Sequence, residues 1–270
     1  MKNIFKSIFC LILFAPFAAN AQSAADKKVQ AGLTFNAGSN FLAPSSNKIV
    51  ANGGGAILSI GLNIHSALKS SPNLGIASGL EFDFGNNKYS PNTSSYTFID
   101  YLEDDAVLTN DEAANPDSET MQLVSRAVST TKLTVPLMLL FRTNFIGDFR
   151  YFGKFGVRNS FLLSHSISDE GFATTLGVPN GEALSTELMS SPGEMFIYNG
   201  SIGLSAGAEW NFVGSTCLVL EAGYYYGITP FFLDRKDGNK TMYTMNLLEK
   251  QYYSPSARQN QLIFKLSILF

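Results

Sequence analysis

The chain has 270 residues, a formal net charge of −3, and only 15% Asp, Glu, Lys and Arg. That balance leaves no basic footprint for nucleic acid, so no nucleic-acid partner is expected. With 22 Phe, 11 Tyr and 23 Gly against so few charges, the composition suits an all-β protein with little helix.

The N-terminus reads as a targeting segment. Lys2 and Lys6 give a basic start, Ser7 to Phe17 is an apolar run, and Ala19-Asn20-Ala21 has the small-x-small form of a cleavage site. The run is too short for a spanning helix. The expectation is a signal peptide over residues 1–21, cleaved before Gln22, with a single domain over 22–270. Cleavage removes Cys10 and leaves Cys217 alone, so no internal disulfide is expected.

From there the chain alternates. Lys28 to Phe35 sets Val29, Ala31, Leu33 and Phe35 against Lys28, Gln30, Gly32 and Thr34. Period two marks a strand with different surroundings on its two faces. Ala37 to Gly54, rich in Gly, Ser, Asn and Pro, reads as a loop. Gly55 to His65 places Ala56, Leu58, Ile60, Leu62 and Ile64 on one face. After a short turn, Asn73 to Gly85 returns with Leu74, Ile76, Leu80, Phe82 and Phe84 outside and Glu81 and Asp83 inside. Two carboxylates in an alternating apolar strand would be costly in lipid and cost far less facing a polar lumen.

Asn86 to about Thr130 reads as a long polar loop with an acidic run through Asp100, Glu103, Asp104, Asp105, Asp111, Glu112, Asp117 and Glu119. Lys132 to Arg142 is the fourth strand, and Pro136 within it predicts an irregularity. After the short turn Thr143 to Phe149, the fifth strand, Arg150 to Leu163, turns Lys154 and Arg158 inward. Ser164 to Ile197 reads as a loop. Tyr198 to Phe212 carries Glu209 inward, a tight turn follows, and Thr216 to Gly227 carries Glu221 inward. Ile228 to Ala257 reads as a loop. The last strand, Gln261 to Phe270, places Leu262, Phe264, Leu266, Ile268 and Phe270 on one face and Lys265 on the other.

Connections alternate long and short through eight strands. Bacterial outer-membrane barrels have even strand numbers, short periplasmic turns and long external loops. Most of these strands reach the roughly 9–11 residues that a tilted crossing needs. An exposed apolar edge strand invites aggregation, and a closed barrel removes it by pairing last strand with first. The expectation is an all-β, eight-stranded antiparallel up-and-down transmembrane β-barrel with long external loops, closed between Lys28–Phe35 and the terminal strand. A soluble β-sandwich or lipocalin-like barrel is the alternative. Against it, the large side chains occupy one face while Gly, Ser and charges occupy the other.

The strand LTVPLMLLFR at Leu133 to Arg142 resembles the hydrophobic-x-Ile/Val-Pro-Leu-Leu-Leu-Lys strand of the PorT-like outer-membrane barrels of Bacteroidota. SIGLSAGAEW at Ser201 to Trp210 is similar to that family's Gly-rich sixth strand. LEAGYYYGIT at Leu220 to Thr229 resembles its Arg-Tyr-x-x-Gly-Leu strand, with Gly223 where an Arg is usual. The resemblance spans roughly Lys28 to Phe270 outside the loops. It implies a Gram-negative outer-membrane location and, for some members, an accessory part in type IX protein secretion. The terminal aromatic strand, with Phe264, Leu266, Ile268 and Phe270, also resembles the signal read by the barrel-assembly machinery.

Candidate chemistry is sparse. Glu81, Asp83, Arg142, Lys154, Arg158, Glu209, Glu221 and Lys265 are expected to form a mutually neutralising network in the lumen, since an eight-stranded barrel is just wide enough for side chains to fill. A narrow conducting path is the alternative use of the same residues. His65 is expected to be a packed lumenal residue. His165, between Ser164 and Ser166 near the outer rim, has the residue types of a lipid-modifying hydrolase but no orienting acid at a fixed spacing. The acidic loop offers carboxylates for a hard cation but lacks the Asp-x-Asp-x-Asp-Gly pattern, so a solvated loop is expected. No catalytic residue, cofactor or metal is assigned. Tyr151, Trp210, Tyr224, Tyr226 and Phe270 are expected at the membrane interfaces. The expected partners are outer-membrane lipid, the assembly machinery, and a protein or glycan ligand at the external loops.

Overall fold

The computed structural model describes residues 28–69, 71–92, 97–102, 107–108, 113, 117–175, 178–189, 194–213, 216–234, 240–246 and 249–270. The signal segment, Cys10 included, lies outside these, as do Glu103, Asp104, Asp105, Asp111 and Glu112 of the acidic run.

The strands in chain order are β1 (Val29–Pro44), β2 (Ile49–Ala51), β3 (Gly54–Leu68), β4 (Ser71–Pro91), β5 (Phe98–Tyr101), β6 (Glu119–Arg142), β7 (Phe149–Thr175), β8 (Val178–Met189), β9 (Tyr198–Val213), β10 (Thr216–Gly227), β11 (Met242–Asn246), β12 (Glu249–Tyr253) and β13 (Ala257–Leu269). Eight of them form a closed antiparallel ring in the order β1-β3-β4-β6-β7-β9-β10-β13, with β13 returning to β1. The seam runs from Gly32 opposite Leu269 to Pro44 opposite Ala257. Beyond it, Phe270 N–H donates to the Ala31 carbonyl at 2.9 Å.

Side chains alternate across the wall as the sequence predicts. Leu58, Leu137, Leu204, Leu220 and Phe264 stand more than half exposed on the outside. Thr34, Ser59, Asn63 and Ser267 are buried on the inside. A water-soluble barrel would bury the first set and expose the second; the reverse arrangement needs lipid outside.

The ends of the strands differ from expectation. Of the stretches read as loops, the described residues of 37–54, 86–130 and 164–197 are largely strand, and 228–257 contains the short strands β11 and β12. β1, β4, β6 and β7 run well past the apolar belt; β2, β5 and β8 pair onto β4, β6 and β7, and β11 and β12 extend the sheet from β5. Backbone pairing continues above the lipid, but the outer face there no longer has to be apolar. The period-two signal fades while the ladder does not.

Pro136 interrupts the β4–β6 ladder without shifting its register. The β4–β6 register passes from Ser78 opposite Leu137 to Glu81 opposite Thr134 with no shift, and Ser78 Oγ donates to the Pro136 carbonyl at 2.8 Å. Register shifts occur instead between Leu123 and Ser125 and between Thr131 and Lys132, where β7 carries Leu163 as an extra residue. At the other end, the 143–148 turn closes through Ile146 N–H on the Phe149 carbonyl at 2.8 Å. Gly147 there has φ +63°, a left-handed conformation that glycine adopts without strain.

Candidate functional site

All eight sequence-selected bore residues point inward, and the ion pairs among these eight join staves that are not neighbours. Glu81 on β4 accepts from Arg158 on β7 at 2.7 Å and from Lys265 on β13 at 2.6 Å. Asp83 accepts from Arg158 at 3.0 Å and from Thr134 at 2.6 Å. Lys154 on β7 donates to Glu221 on β10 at 2.6 Å. At the end with short turns, Glu209 accepts from Arg150 Nε at 2.6 Å and lies 3.0 Å from Arg142. The network braces the walls across the bore and fills it.

Arg150 and Lys132 belong to this set and were not singled out from the sequence, although their strand parity places both inward. The bore therefore holds, among the described residues, four carboxylates and six basic side chains rather than four of each. His65 is buried between Arg142 Nη2 at 2.8 Å and Lys154 Nζ at 3.0 Å, a packed lumenal position. Cys217 is buried nearby, accepting from Gln30 at 3.5 Å.

Outward residues divide into an apolar belt and aromatic ends. Phe264, Leu266 and Ile268 face lipid beside the seam. Phe149, Trp210 and Phe212 cluster toward the short-turn end, with Trp210 stacked on Phe149 at 5.9 Å. Tyr224 and Tyr226 stand exposed toward the other end.

Above the belt, the extended strands form a cap with its own apolar core. Leu42, Ile49, Tyr89, Ile99, Met121, Ile167, Phe231, Phe232 and Met242 pack together there. Arg126 is fully buried within it. Its Nε and Nη2 donate to Asp169 at 2.7 Å each, and Nη1 donates to both Glu194 oxygens at 2.8 and 3.0 Å. Thr241 adds a hydrogen bond to Glu194 at 2.6 Å. Burial alone would lower the guanidinium pKa, but Asp169 and Glu194 outweigh it and hold Arg126 well above its ordinary range.

Asp100 of the acidic run is part of this cap and not a solvated loop residue. It accepts from Lys250 at 2.7 Å and from Tyr243 and Thr120 at 3.2 Å each. Tyr101 donates to Glu119 at 3.0 Å. Among the described residues no group of three or more His, Cys, Asp or Glu is placed to hold a metal ion. His165 lines a surface groove with Ser164, Ser166, Ser129, Thr130 and Asn86, a lining without a carboxylate.

A closed antiparallel ring, apolar outside and ionic inside, is a transmembrane β-barrel. The chain belongs to the family of the outer membrane protein beta-barrel domain, whose model matches residues 20–233. It is an outer-membrane protein. No curated protein sequence matches the chain. Among solved structures it is similar to Neisserial surface protein A (9% identity, 90% of this chain and 98% of that one, TM-score 0.35). OprG from Pseudomonas aeruginosa gives 7%, 89%, 92% and 0.41. The outer membrane protease OmpT from Escherichia coli gives 10%, 92%, 97% and 0.36. These include a surface protein and a protease, and at such scores they carry no argument about activity.

Proposed function

We propose that the protein is a non-enzymatic binding module of the outer membrane that acts through its external cap, in adhesion or envelope assembly. The cap carries this reading. The chain spends its four longest connections on a packed structure with a core of its own, and the bore beneath is filled by ion pairs. A porin would spend them on a constriction, and an enzyme on an open cleft. The ligand class is an extracellular protein or glycan. Residues 1–21 would be removed on export, and the terminal strand ending in Phe270 would be read during insertion. The Pro136 strand and its PorT-like context support a second reading, an accessory role in type IX secretion, which a secretion defect on deletion would bring forward.

The test uses cells that display the full chain or a variant with β8 replaced by a short turn. Both should shift on an unboiled detergent gel. Only the full chain should retain cells on a panel of immobilised glycans and matrix proteins. Retention by neither, with current steps in single-channel recording, would overturn the reading. So would a change in lipid A or phospholipid composition that His165→Ala abolishes.

A further inference from the structure

On the outer wall over β3, β4, β6 and β7, the apolar belt gives way to small polar residues. Its last row made wholly of large side chains is Ile60, Phe82, Leu133 and Phe161, each opposite the next. One row higher come Leu58, Phe84, Thr131 and Ser164. Above these lie Ala56, Asn86, Ser129 and Ser166. The two upper rows line a surface groove of about 450 Å3, within the size range of ligand sites.

The bulge on β7 hollows this groove. Uninterrupted parity from Phe161 would set Leu163, His165 and Ile167 on the wall. The extra residue at Leu163 sets Ser164 and Ser166 there instead. Bulges re-aim side chains in this way.

The lower part of the groove is apolar, from Leu58 and Phe84, and the upper part offers hydrogen bonds. Asn86 is exposed, and its Oδ1 accepts from the Ala56 N–H at 2.6 Å. That bond fixes the amide, since the reversed amide would set an NH2 against an N–H. Nδ2 is left as a donor. Neither it nor the hydroxyls of Ser129, Thr131, Ser164 and Ser166 have a hydrogen-bond partner among the described residues. Lys88, the next outward residue of β4, is held by Glu170 at 3.3 Å.

We propose that this groove binds the headgroup of an outer-leaflet glycolipid, an acylated sugar. The first methylenes of an acyl chain lie against Leu58 and Phe84, and the sugar and its ester carbonyl bond to Asn86 and the serines. The order of the lining selects this occupant. The long connections lie outside, so the cap end of the belt meets the outer leaflet. A ligand running from Phe84 to Ser166 is apolar at its lower end and hydrogen-bonding at its upper end, as an acylated sugar is at a membrane surface. A soluble glycan has no use for the lower half. A lone phosphate would ask for a free cation, and Glu170 already holds Lys88.

The mature full-length barrel in mild detergent is mixed with lipid A or with phosphatidylethanolamine and analysed by native mass spectrometry. Lipid A should stay bound as a single adduct at an activation that strips phosphatidylethanolamine. Asn86→Asp keeps the bond from Ala56 and removes the donor, and should weaken retention by about tenfold. Ser129→Leu combined with Ser166→Leu fills the groove and should abolish retention. Both variants should still shift on an unboiled gel, because they alter outward side chains. Tyr226→Leu, on β10 away from the groove, should leave retention unchanged. Equal retention of the two lipids, or retention unchanged in both groove variants, would make this ordinary lipid contact and overturn the proposal. So would displacement of lipid A by its deacylated sugar, which would assign the groove to a soluble glycan.

Discussion

Arg126 and Asp169 face each other across the β6–β7 ladder with two nitrogen–oxygen distances of 2.7 Å, fully buried in the apolar core of the cap. Glu194 completes the guanidinium's partners from the segment leading into β9. This fork ties the connection that precedes β9 to the wall of the barrel.

Arg126→Met should therefore open the cap and spare the barrel. It leaves Asp169 and Glu194 buried without their cation, a loss on the order of 3–5 kcal/mol. The ring below has its own network. The variant should still shift on boiling, while protease cuts the connections around Glu194 far faster than in the parent. Loss of the boiling shift itself would show that cap and barrel are one cooperative unit.

Alkaline pH should loosen the cap before the barrel. Burial pushes the Tyr243 phenol up to about 12, and burial also raises Tyr89, Tyr252 and Tyr253. Lys250 is shifted down by burial but up by more through its bond to Asp100, for a net rise. A pKa raised on folding means the folded state holds the proton longer. The stability it contributes is complete below the unfolded value and is lost as pH rises through the folded one. For Tyr243 that window runs from about 10 to 12. Tyrosinate absorbance and amide exchange in β11 and β12 should rise together there. Exchange unchanged across the window would refute the assignment.

Glu81→Gln should weaken the bore strongly, because Glu81 joins Arg158 and Lys265. The charge removed is the shared partner of two buried cations, so the loss is on the order of 3–5 kcal/mol. Adding Lys265→Met should recover part of it. A double-mutant cycle on the temperature of the boiling shift measures the coupling. Additive losses would mean that the two residues do not act on each other.

The strand faces were legible because lipid imposes a rule on every outward residue of the belt. Glu81, Asp83, Lys154 and Arg158 could be assigned to the bore from parity alone. The cap was not legible. Its core draws Ile99, Met121, Phe231 and Met242 from four distant segments, none with a local period. The bulge at Leu163 also reverses parity. Below it, even positions such as Lys154 and Arg158 face inward, and above it Ile167 and Asp169 do. Extrapolated parity would have turned the partner of Arg126 outward.

The solvent outside the belt can be tested with two residues of equal exposure. Leu204 on β9 is 64% exposed and lies between Tyr198 and the Trp210 cluster, near the middle of the crossing. Ile146 in the short turn is 67% exposed. In water, Arg at either position would cost almost nothing, because neither side chain is packed. With lipid at Leu204, Leu204→Arg should cost about 2–4 kcal/mol, while Ile146→Arg near the interface should cost about 0–1 kcal/mol. Refolding into bilayers against denaturant gives both numbers. The same pair unfolded from detergent micelles should differ less, because a micelle deforms around a charge more readily than a bilayer. Equal, small losses in bilayers would place water, not lipid, against β9 and overturn the transmembrane assignment at its most exposed stave.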